Sequence, residues 1–244
     1  MGAPRVLIIG ESCVDEFAYC QTTRLAPDWP VPILEIENIV TNPGMARNVL
    51  ANMSAMGALI DIESNSNWKE FRKRRYVHSK TNHTFFRVDS NVKIDELSSL
   101  PNTSNYDAVV ISDYNKGFLS RDTIWEISKL HDRVFLDTKK PLGDWASRAF
   151  LVKINDFEFT NSLPYVLGPI KSRVIRTLGE RGCEFQDKIY TTEKVIVSDT
   201  SGAGDTFISA LVCSFLEKDN IDLAIKDANL AAAKVVKRRG VVAI

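Results

Sequence analysis

The sequence predicts an α/β protein built on a doubly wound, mainly parallel sheet with helices on both faces and a small β flap. Apolar runs that end in glycine or a polar residue alternate along the chain with amphipathic helical patterns, as in parallel α/β proteins. Two other segments alternate apolar with polar residues, which is typical of antiparallel strands with one solvated face. The length of 244 residues suffices for one large domain of this class.

The strands of the parallel sheet are predicted where continuous apolar runs occur. These runs lie at residues 6–10, 108–113, 134–137 and 150–155, with a weaker one at 172–177. The helical patterns occupy residues 46–56, 121–130, 207–217 and 222–236. Polar residues at the carboxyl ends of the strands fall where such sheets bind their ligands.

The flap is predicted from two segments that depart from the strand–helix alternation. Residues 16–40 combine strand-like patterns with three prolines, and residues 75–89 alternate apolar with polar side chains. The basic run at 69–75 precedes the second segment. A solvated face is the simpler interpretation of this run, and a phosphate-steering patch is the alternative.

Composition excludes several classes of partner. Lys and Arg together number 31, as do Asp and Glu, so no net charge favours nucleic acid or a membrane surface. The four cysteines lack metal-ligand spacing and are typical of free thiols in a reducing compartment. With no long apolar segment and no signal-peptide pattern, a soluble cytoplasmic protein is expected.

The stretch from Asp199 to Phe207 carries the strongest functional signal. A strand is predicted at 195–197, followed by a small-residue turn and an apolar helix. This geometry directs unpaired backbone N–H groups at one point, which suits an anion. Asp205 adds a carboxylate there, which makes sense if it takes a proton from a hydroxyl group that attacks a phosphoryl group. An ordinary helix start with a capping side chain is the alternative.

The string Ser201-Gly202-Ala203-Gly204-Asp205-Thr206-Phe207 resembles the signature of the ribokinase-like, or phosphofructokinase B type, carbohydrate kinases. The resemblance implies a three-layer α/β/α fold and one kinase domain over residues 1–244, with lid segments at about 16–40 and 75–90. It implies ATP-dependent phosphotransfer, in which Gly202, Ala203 and Gly204 form the anion hole and Asp205 is the base.

The resemblance also implies residues for the acceptor sugar. Asp15 follows the first strand, where an aspartate of this family binds sugar hydroxyls. Gly44 and Asn48 match the family's Gly-Gly-x-x-Asn turn, but Met45 stands in place of the second glycine. A helix-start role is the alternative for Asn48.

Three further strings resemble one subgroup, the kinases of heptose 7-phosphate. They are Asp113-Tyr114-Asn115-Lys116-Gly117, Arg24 to Pro32, and Phe86-Arg87-Val88-Asp89. A phosphorylated acceptor needs a local cation, and Lys116 can supply it. The resemblance therefore places Asp113, Lys116 and Arg87 in the acceptor site, with phosphorylation at the anomeric hydroxyl. Flap surface charge is the alternative for Arg24 and Arg87.

The nucleotide side is implied by further matches. Asn155 and Glu158 match an Asn-x-x-Glu motif that positions Mg²⁺-bound water, although such a motif can also cap a helix. The remaining nucleotide residues implied by the family are Lys139, Thr177, Gly179, Gly182 and Asn229. For Asn229 a surface amide is the alternative. ATP and Mg²⁺ are the implied cofactors, and a requirement for a monovalent cation is left open. No Walker loop or zinc spacing occurs in the sequence.

The chain is short for this family. After the helix ending near residue 58, residues 59–63 lead directly to the basic run, and residues 161–171 leave little room for a helix. A small-molecule sugar substrate and a homodimer formed through the flap are expected. Two alternatives stay open: a catalytically weakened binding protein for sugar phosphate or nucleotide, and a kinase for another small alcohol such as a nucleoside or vitamin.

Overall fold

The computed structural model describes residues 2–168, 170–238 and 240. These residues form an eight-stranded sheet, a four-stranded sheet and five α-helices. The strands are β1 (Arg5–Gly10), β2 (Ser12–Gln21), β3 (Glu35–Met45), β4 (Leu59–Glu63), β5 (Arg72–His78), β6 (Thr84–Asp89), β7 (Ala108–Asp113), β8 (Val134–Thr138), β9 (Leu151–Asn155), β10 (Val174–Thr177), β11 (Cys183–Phe185) and β12 (Lys188–Tyr190). The helices are α1 (Ala46–Ala55), α2 (Arg121–Leu130), α3 (Asp156–Thr160), α4 (Ala203–Lys218) and α5 (Ile221–Val235).

The large sheet has the strand order β12-β11-β10-β9-β8-β7-β1-β4. Adjacent strands in this order from β10 through β4 are parallel. The pairs β10–β11 and β11–β12 are antiparallel. Alternate residues of β1 enter two separate cores. Val6 and Ile8 pack with α1, α4 and α5, whereas Leu7 and Ile9 pack with α2. Helices therefore cover both faces of the sheet, which confirms the predicted fold class.

The second sheet has the order β3-β2-β5-β6. Strand β2 begins two residues after β1 ends, so this sheet is attached at the carboxyl edge of the large sheet. Strands β2 and β5 are parallel, and the outer pairs are antiparallel. Most of β3 is exposed. The predicted small β flap is thus present and lies at the edge where ligands of α/β sheets bind.

The structure is short in the two predicted places. Strand β4 leads to β5 through residues 64–71, which contain turns but no helix. The described residues of 161–168 and 170–173 form only turns and short 3₁₀ segments after α3. Within the described part of the chain, no helix is both long and apolar enough to cross a bilayer.

The strand predicted at residues 195–197 is wrong. This segment has no regular secondary structure, and the side chain of Ile196 is 89% exposed. Its β-branched residues favour extended backbone, but none of the described strands pairs with them. The helix that follows starts earlier than predicted, at Ala203.

Candidate functional site

The first turn of α4 presents unpaired donors at the carboxyl edge of the sheet. Gly202 precedes the helix with φ of 80°, a left-handed conformation that favours glycine, and no side chain caps the helix. The N–H group of Ala203 bonds to the carbonyl of Thr200 at 3.3 Å, whereas those of Gly204 and Asp205 find no acceptor among the described residues. Donors of this kind at a helix start can bind an anion.

A buried lysine lies directly against this turn. A β-carbon added to Gly204 would stand 2.8 Å from Nζ of Lys153. Lys153 is 3% exposed and pairs with Oδ2 of Asp137 at 2.8 Å. The carboxyl pKa of Asp137 would rise through burial, but the ammonium groups of Lys153 and Lys139 outweigh burial and hold it below its usual value. The helix start therefore combines backbone donors with a fixed positive charge.

Asp205 lies in the same turn and is 5% exposed. Its Oδ2 accepts a hydrogen bond from Nδ2 of Asn48 at 2.8 Å, and its Oδ1 accepts one from the hydroxyl of Tyr114 at 2.5 Å. Burial raises the pKa of Asp205, while these two hydrogen bonds act in the opposite direction. The structure thus joins two predicted site residues, Asp205 and Asn48, and adds Tyr114 to them.

The predicted acceptor residues Asp15 and Gly44 lie side by side on β2 and β3. A β-carbon at Gly44 would stand 2.3 Å from Oδ2 of Asp15, so only glycine leaves room for this carboxylate. Asp15 accepts a hydrogen bond from Arg75 of β5 at 2.7 Å. Met45, which replaces the family glycine, has φ of 60°, a strained conformation for a residue with a β-carbon.

The position of Lys73 shows that the basic run at 69–75 is not entirely a solvated face. The side chain of Lys73 is 8% exposed, and its Nζ lies 4.8 Å from the ring centroid of Tyr114. Lys73 forms no ion pair within the described ranges, whereas the neighbouring Arg72 and Arg74 pair with Glu16. A buried cation without a carboxylate partner is costly unless an anion neutralises it.

Asn155, Glu158 and Lys139 form one network beside Asp137. Asn155 and Glu158 make a capping box at the start of α3, and Oε1 of Glu158 lies 2.5 Å from Nζ of Lys139. Burial disfavours the charge on Lys139, but the carboxylates of Asp137 and Glu158 outweigh burial and raise its pKa. Oδ1 of Asp137 is buried and accepts no hydrogen bond.

This donor set fits a magnesium–nucleotide complex held mainly through water and phosphate. The available groups are carboxylate and amide oxygens, which Mg²⁺ prefers, and Oδ1 of Asp137 has the ammonium group of Lys139 near it, at 3.8 Å. No cluster of three or more His, Cys, Asp or Glu side chains among the described residues could enclose a metal. Mg²⁺ commonly retains several waters and takes one or two carboxylates, so a sparse site suffices.

Four of the five predicted nucleotide residues line one open cleft of about 870 Å³, and Lys139 is not among its lining residues. Its walls include Thr177, Gly179, Gly182, Ala203, Gly204 and Asn229. Gly182 has φ of 88°, and a β-carbon there would collide with the carbonyl of Tyr190 at 2.0 Å. The amide of Asn229 is 5% exposed and donates to that same carbonyl at 2.9 Å, so it is not the surface amide of the alternative interpretation.

Three predicted acceptor residues form no hydrogen bond or ion pair with Asp205, Asn48 or Asp15 within the described part of the chain. Asp113 is buried and accepts hydrogen bonds from Lys140 and Thr138. The side chain of Lys116 is exposed, and Arg87 is exposed and pairs with Asp89. Arg87 stands opposite Arg75 in the β5–β6 pair, so it lies on the face of the flap that carries Asp15.

The sequence assigned no individual role to Tyr114, Lys153 or Lys73, although Lys73 belongs to the basic run for which a phosphate-steering patch is the alternative. Lys153 had a detectable signal, because it interrupts an otherwise apolar strand. In the basic run, strand alternation separates Lys73 and Arg75 from Arg72 and Arg74. Tyr114 belongs to the string that resembles heptose 7-phosphate kinases, but its contact with Asp205 could not be predicted, because it spans 91 positions of sequence.

Comparison with known families is consistent with this geometry. Residues 35–244 match the model of the pfkB family carbohydrate kinases. The bifunctional protein HldE of Helicobacter acinonychis is 30% identical over an alignment that covers 97% of this chain and 63% of that protein. The bifunctional protein HldE of Sulfurimonas denitrificans is 28% identical, with 97% and 61% covered. This chain thus spans about three-fifths of the length of these relatives.

The chain is also shortened within the matched region. The alignment with the Helicobacter protein extends over 294 residues, more than the 244 of this chain, so the relative contains internal segments that this chain lacks. Both the predicted family and the predicted shortening are confirmed.

Solved structures show the same fold. A ribokinase from Thermotoga maritima superposes with a TM-score of 0.72 at 17% identity, covering 98% of this chain and 94% of that chain. Ribokinase of Arabidopsis thaliana, solved in complex with ribose and ATP, gives a TM-score of 0.70 at 15% identity, with 98% and 94% covered. Phosphofructokinase-2 from Escherichia coli gives 0.70 at 14% identity, with 99% and 94% covered. The fold is therefore ribokinase-like.

Proposed function

Since this chain belongs to the pfkB family of carbohydrate kinases, we propose that it transfers the terminal phosphoryl group of ATP to a hydroxyl group of a sugar phosphate. The observation that carries the proposal is the position of Asp205. Its buried carboxylate stands in the first turn of α4, beside unpaired N–H groups and the ammonium group of Lys153. The base, Asp205, thereby lies next to a site that can bind the negative charge of a phosphoryl group.

In this reaction Asp205 accepts the proton of the acceptor hydroxyl as its oxygen attacks the phosphoryl group. The unpaired N–H groups that follow the turn at residues 202–204, at Gly204 and Asp205, and the charge of Lys153 stabilise the negative charge that spreads over the transferring group. Asp15, Gly44 and Asn48 orient the sugar. Positioning of two bound substrates supplies much of the remaining acceleration.

In this proposal the nucleotide binds in the cleft lined by Thr177, Gly179 and Gly182. Asn155 and Glu158 would hold Mg²⁺ through water, and Lys139, which pairs with Glu158, would contact the phosphates. Mg²⁺, when bound with the nucleotide, would neutralise part of the phosphate charge.

We favour heptose 7-phosphate, phosphorylated at its anomeric hydroxyl, as the acceptor. The resemblance of residues 113–117 to heptose 7-phosphate kinases supports this choice, and the similarity to the HldE proteins points the same way. Lys73 supports a phosphorylated acceptor more generally, because it is a buried cation beside Tyr114 with no acidic partner among the described residues.

The four-stranded sheet is proposed to act as the lid and as a homodimer interface. Its exposed large apolar side chains include Ile36, Val40, Phe86 and Val88. Apolar patches of this kind commonly mark contact surfaces between subunits. Val88→Glu should shift the sedimentation of the protein toward monomer, whereas Leu167→Glu, an exposed position outside this sheet, should not.

The decisive experiment is Asp205→Asn, assayed by ADP release with ATP, Mg²⁺ and a panel of sugars and sugar phosphates. The variant should lose about 10²–10⁴-fold in kcat while ATP binding is retained. Asp219→Asn, at the opposite end of the same helix and exposed, is the matched control and should behave like the unmodified protein. Phosphotransfer that survives Asp205→Asn contradicts the mechanism, and ligand binding without turnover in the unmodified protein favours a binding protein.

A further inference from the structure

We propose that Tyr114 is a positioning residue that fixes the Asp205 carboxylate for proton transfer from the acceptor hydroxyl. The inference rests on the proposed function and adds a residue that no sequence pattern assigned. Tyr114 lies in the loop that follows β7, whereas Asp205 lies at the start of α4. The contact therefore joins two elements that are remote in sequence.

The carboxylate of Asp205 is held from two sides. The hydroxyl of Tyr114 donates to Oδ1 at 2.5 Å, and Nδ2 of Asn48 donates to Oδ2 at 2.8 Å. Asn48 is itself fixed by Asn52, whose Nδ2 donates to Oδ1 of Asn48 at 3.1 Å. One donor on each oxygen defines the plane of the carboxylate and leaves a second lone pair on each oxygen for a substrate hydroxyl.

The loop that carries Tyr114 is anchored by a buried carboxylate. Glu11, which is 0% exposed, accepts backbone N–H bonds from Tyr114 at 2.8 Å, Lys116 at 2.8 Å and Phe118 at 3.3 Å. Hydrogen bonds to a charged acceptor are stronger than those between neutral groups. The backbone of the loop is therefore held in place, and so is the phenol.

Two ammonium groups stand close to the Tyr114 ring. Nζ of Lys73 lies 4.8 Å and Nζ of Lys139 lies 5.6 Å from the ring centroid. Cations at these distances are attracted by the ring and help to fix its position. Burial and the neighbouring carboxylates raise the pKa of Tyr114, so the phenol keeps its proton and can donate it in a hydrogen bond to the carboxylate.

The contact also affects the protonation of Asp205. Other groups that influence Asp205 are Asp137, Lys139, Lys153 and the thiol of Cys13; Tyr114→Phe removes none of them and keeps the ring that Lys139 contacts. Burial raises the pKa of Asp205, and the hydrogen bonds from Tyr114 and Asn48 lower it. Removal of the phenolic hydroxyl should therefore raise this pKa and reduce the ionised fraction of the base at neutral pH.

The test is Tyr114→Phe, with Tyr106→Phe as the matched control. Tyr106 also donates its hydroxyl to an aspartate, at 2.9 Å from Oδ2 of Asp61, but it lies outside the site. At pH 6, Tyr114→Phe should lower kcat/KM about 10-fold or more, and the acid limb of its pH profile should move to higher pH. Tyr106→Phe should leave both unchanged. A Tyr114→Phe profile with an unmoved acid limb, even at reduced activity, would assign a purely structural role and overturn the proposal.

Two further measurements protect this test. Site-specific 3-fluorotyrosine at position 114 keeps the ring and strengthens the donor, so its acid limb should move to lower pH; no movement overturns the proposal should Tyr114→Phe fail to fold. A ¹³C-carboxyl NMR titration, with Asp205→Asn for assignment, measures Asp205 without any turnover. Asp205 should titrate at higher pH in Tyr114→Phe than in the unmodified protein and in Tyr106→Phe. Identical titrations of Asp205 in these three proteins would again overturn the proposal. Absence of turnover in the unmodified protein refutes the proposed function instead. Because the titration needs no turnover, it tests the role of Tyr114 separately from the proposed function.

Discussion

The ammonium group of Lys153 lies 2.8 Å from Oδ2 of Asp137, and both side chains are buried beneath the first turn of α4. Strands β8 and β9 are neighbours, so the pair links two strand ends to the helix that carries Asp205. Loss of one partner from a buried pair commonly destabilises a protein by about 3–5 kcal/mol. The position of this cation therefore depends on Asp137 and on the space left at Gly204.

Gly204→Ala should fold but lose about 10²–10³-fold in kcat. The new methyl group would stand 2.8 Å from Nζ of Lys153 and displace the ammonium group from the helix start. Steady-state kinetics and thermal unfolding test this. Gly168→Ala, where the closest atom would lie 3.4 Å away in a remote turn, is the control. Equal activity of the two variants would remove Lys153 from the proposed mechanism.

Gly44→Ala should weaken binding of the acceptor sugar and leave binding of the nucleotide unchanged. Its β-carbon would lie 2.3 Å from Oδ2 of Asp15 and 2.7 Å from Sγ of Cys13, so the carboxylate must move. Loss of a hydrogen bond from a charged group predicts a rise of about 10–100-fold in KM for the sugar. Calorimetric titration with ATP should give an unchanged Kd. Parallel weakening of both ligands would show a general distortion instead.

Lys73→Met should reduce the preference for phosphorylated acceptors. Methionine keeps the apolar stem of the side chain but removes the charge, so kcat/KM for a sugar phosphate should fall about 10–100-fold. The value for the unphosphorylated sugar should change little. Lys69→Met, on the exposed part of the same run, is the control. A loss that is equal for both acceptors contradicts recognition of phosphate by Lys73.

The raised pKa of Asp205 predicts a specific dependence of stability on pH. Its unfolded-state pKa is near 3.8, and burial raises the folded-state value, so the folded protein binds this proton more tightly than the unfolded chain does. Stability from this group is present below about pH 3.8 and is lost as the pH rises through the raised folded-state pKa. The free energy of unfolding of the unmodified protein, relative to Asp205→Asn, should therefore fall over that interval and then stay constant. Urea titrations across this pH range measure this difference in the free energy of unfolding. A difference that rises with pH would contradict the prediction.

The parallel sheet could be predicted from sequence because its strands are buried on both faces. Residues 108–113 form a strand with the predicted bounds, and helix α2 likewise matches its predicted range of 121–130. The strand predicted at 195–197 failed because branched side chains indicate only that extended backbone is allowed. A strand also needs a partner, and that depends on the path of the whole chain.

The candidate site was predictable where a short string of residues forms a local turn. Asp205 and its glycines belong to this class. Tyr114 and Asn48 reach Asp205 from 91 and 157 positions away, and such contacts depend on how β7 and α1 are placed around the sheet. The resemblance to a family supplied Asn48 and included Tyr114 in a matching string, but the contact of Tyr114 with Asp205 emerged only from the packed structure.

The shortened chain leaves β4 as the last described strand of the large sheet. An open strand edge can pair with a strand of another molecule, which is a common route to aggregation. Here the exposed face of β4 carries the carboxylates of Asp61 and Glu63. Asp61 pairs with Arg5 at 3.3 Å, so Glu63 supplies most of the negative charge that would repel a second such edge. Salt weakens this repulsion, because the Debye length falls to about 3 Å at 1 M. The loss of the outer elements thus makes colloidal behaviour, and not only substrate choice, depend on a few acidic side chains at the sheet edge.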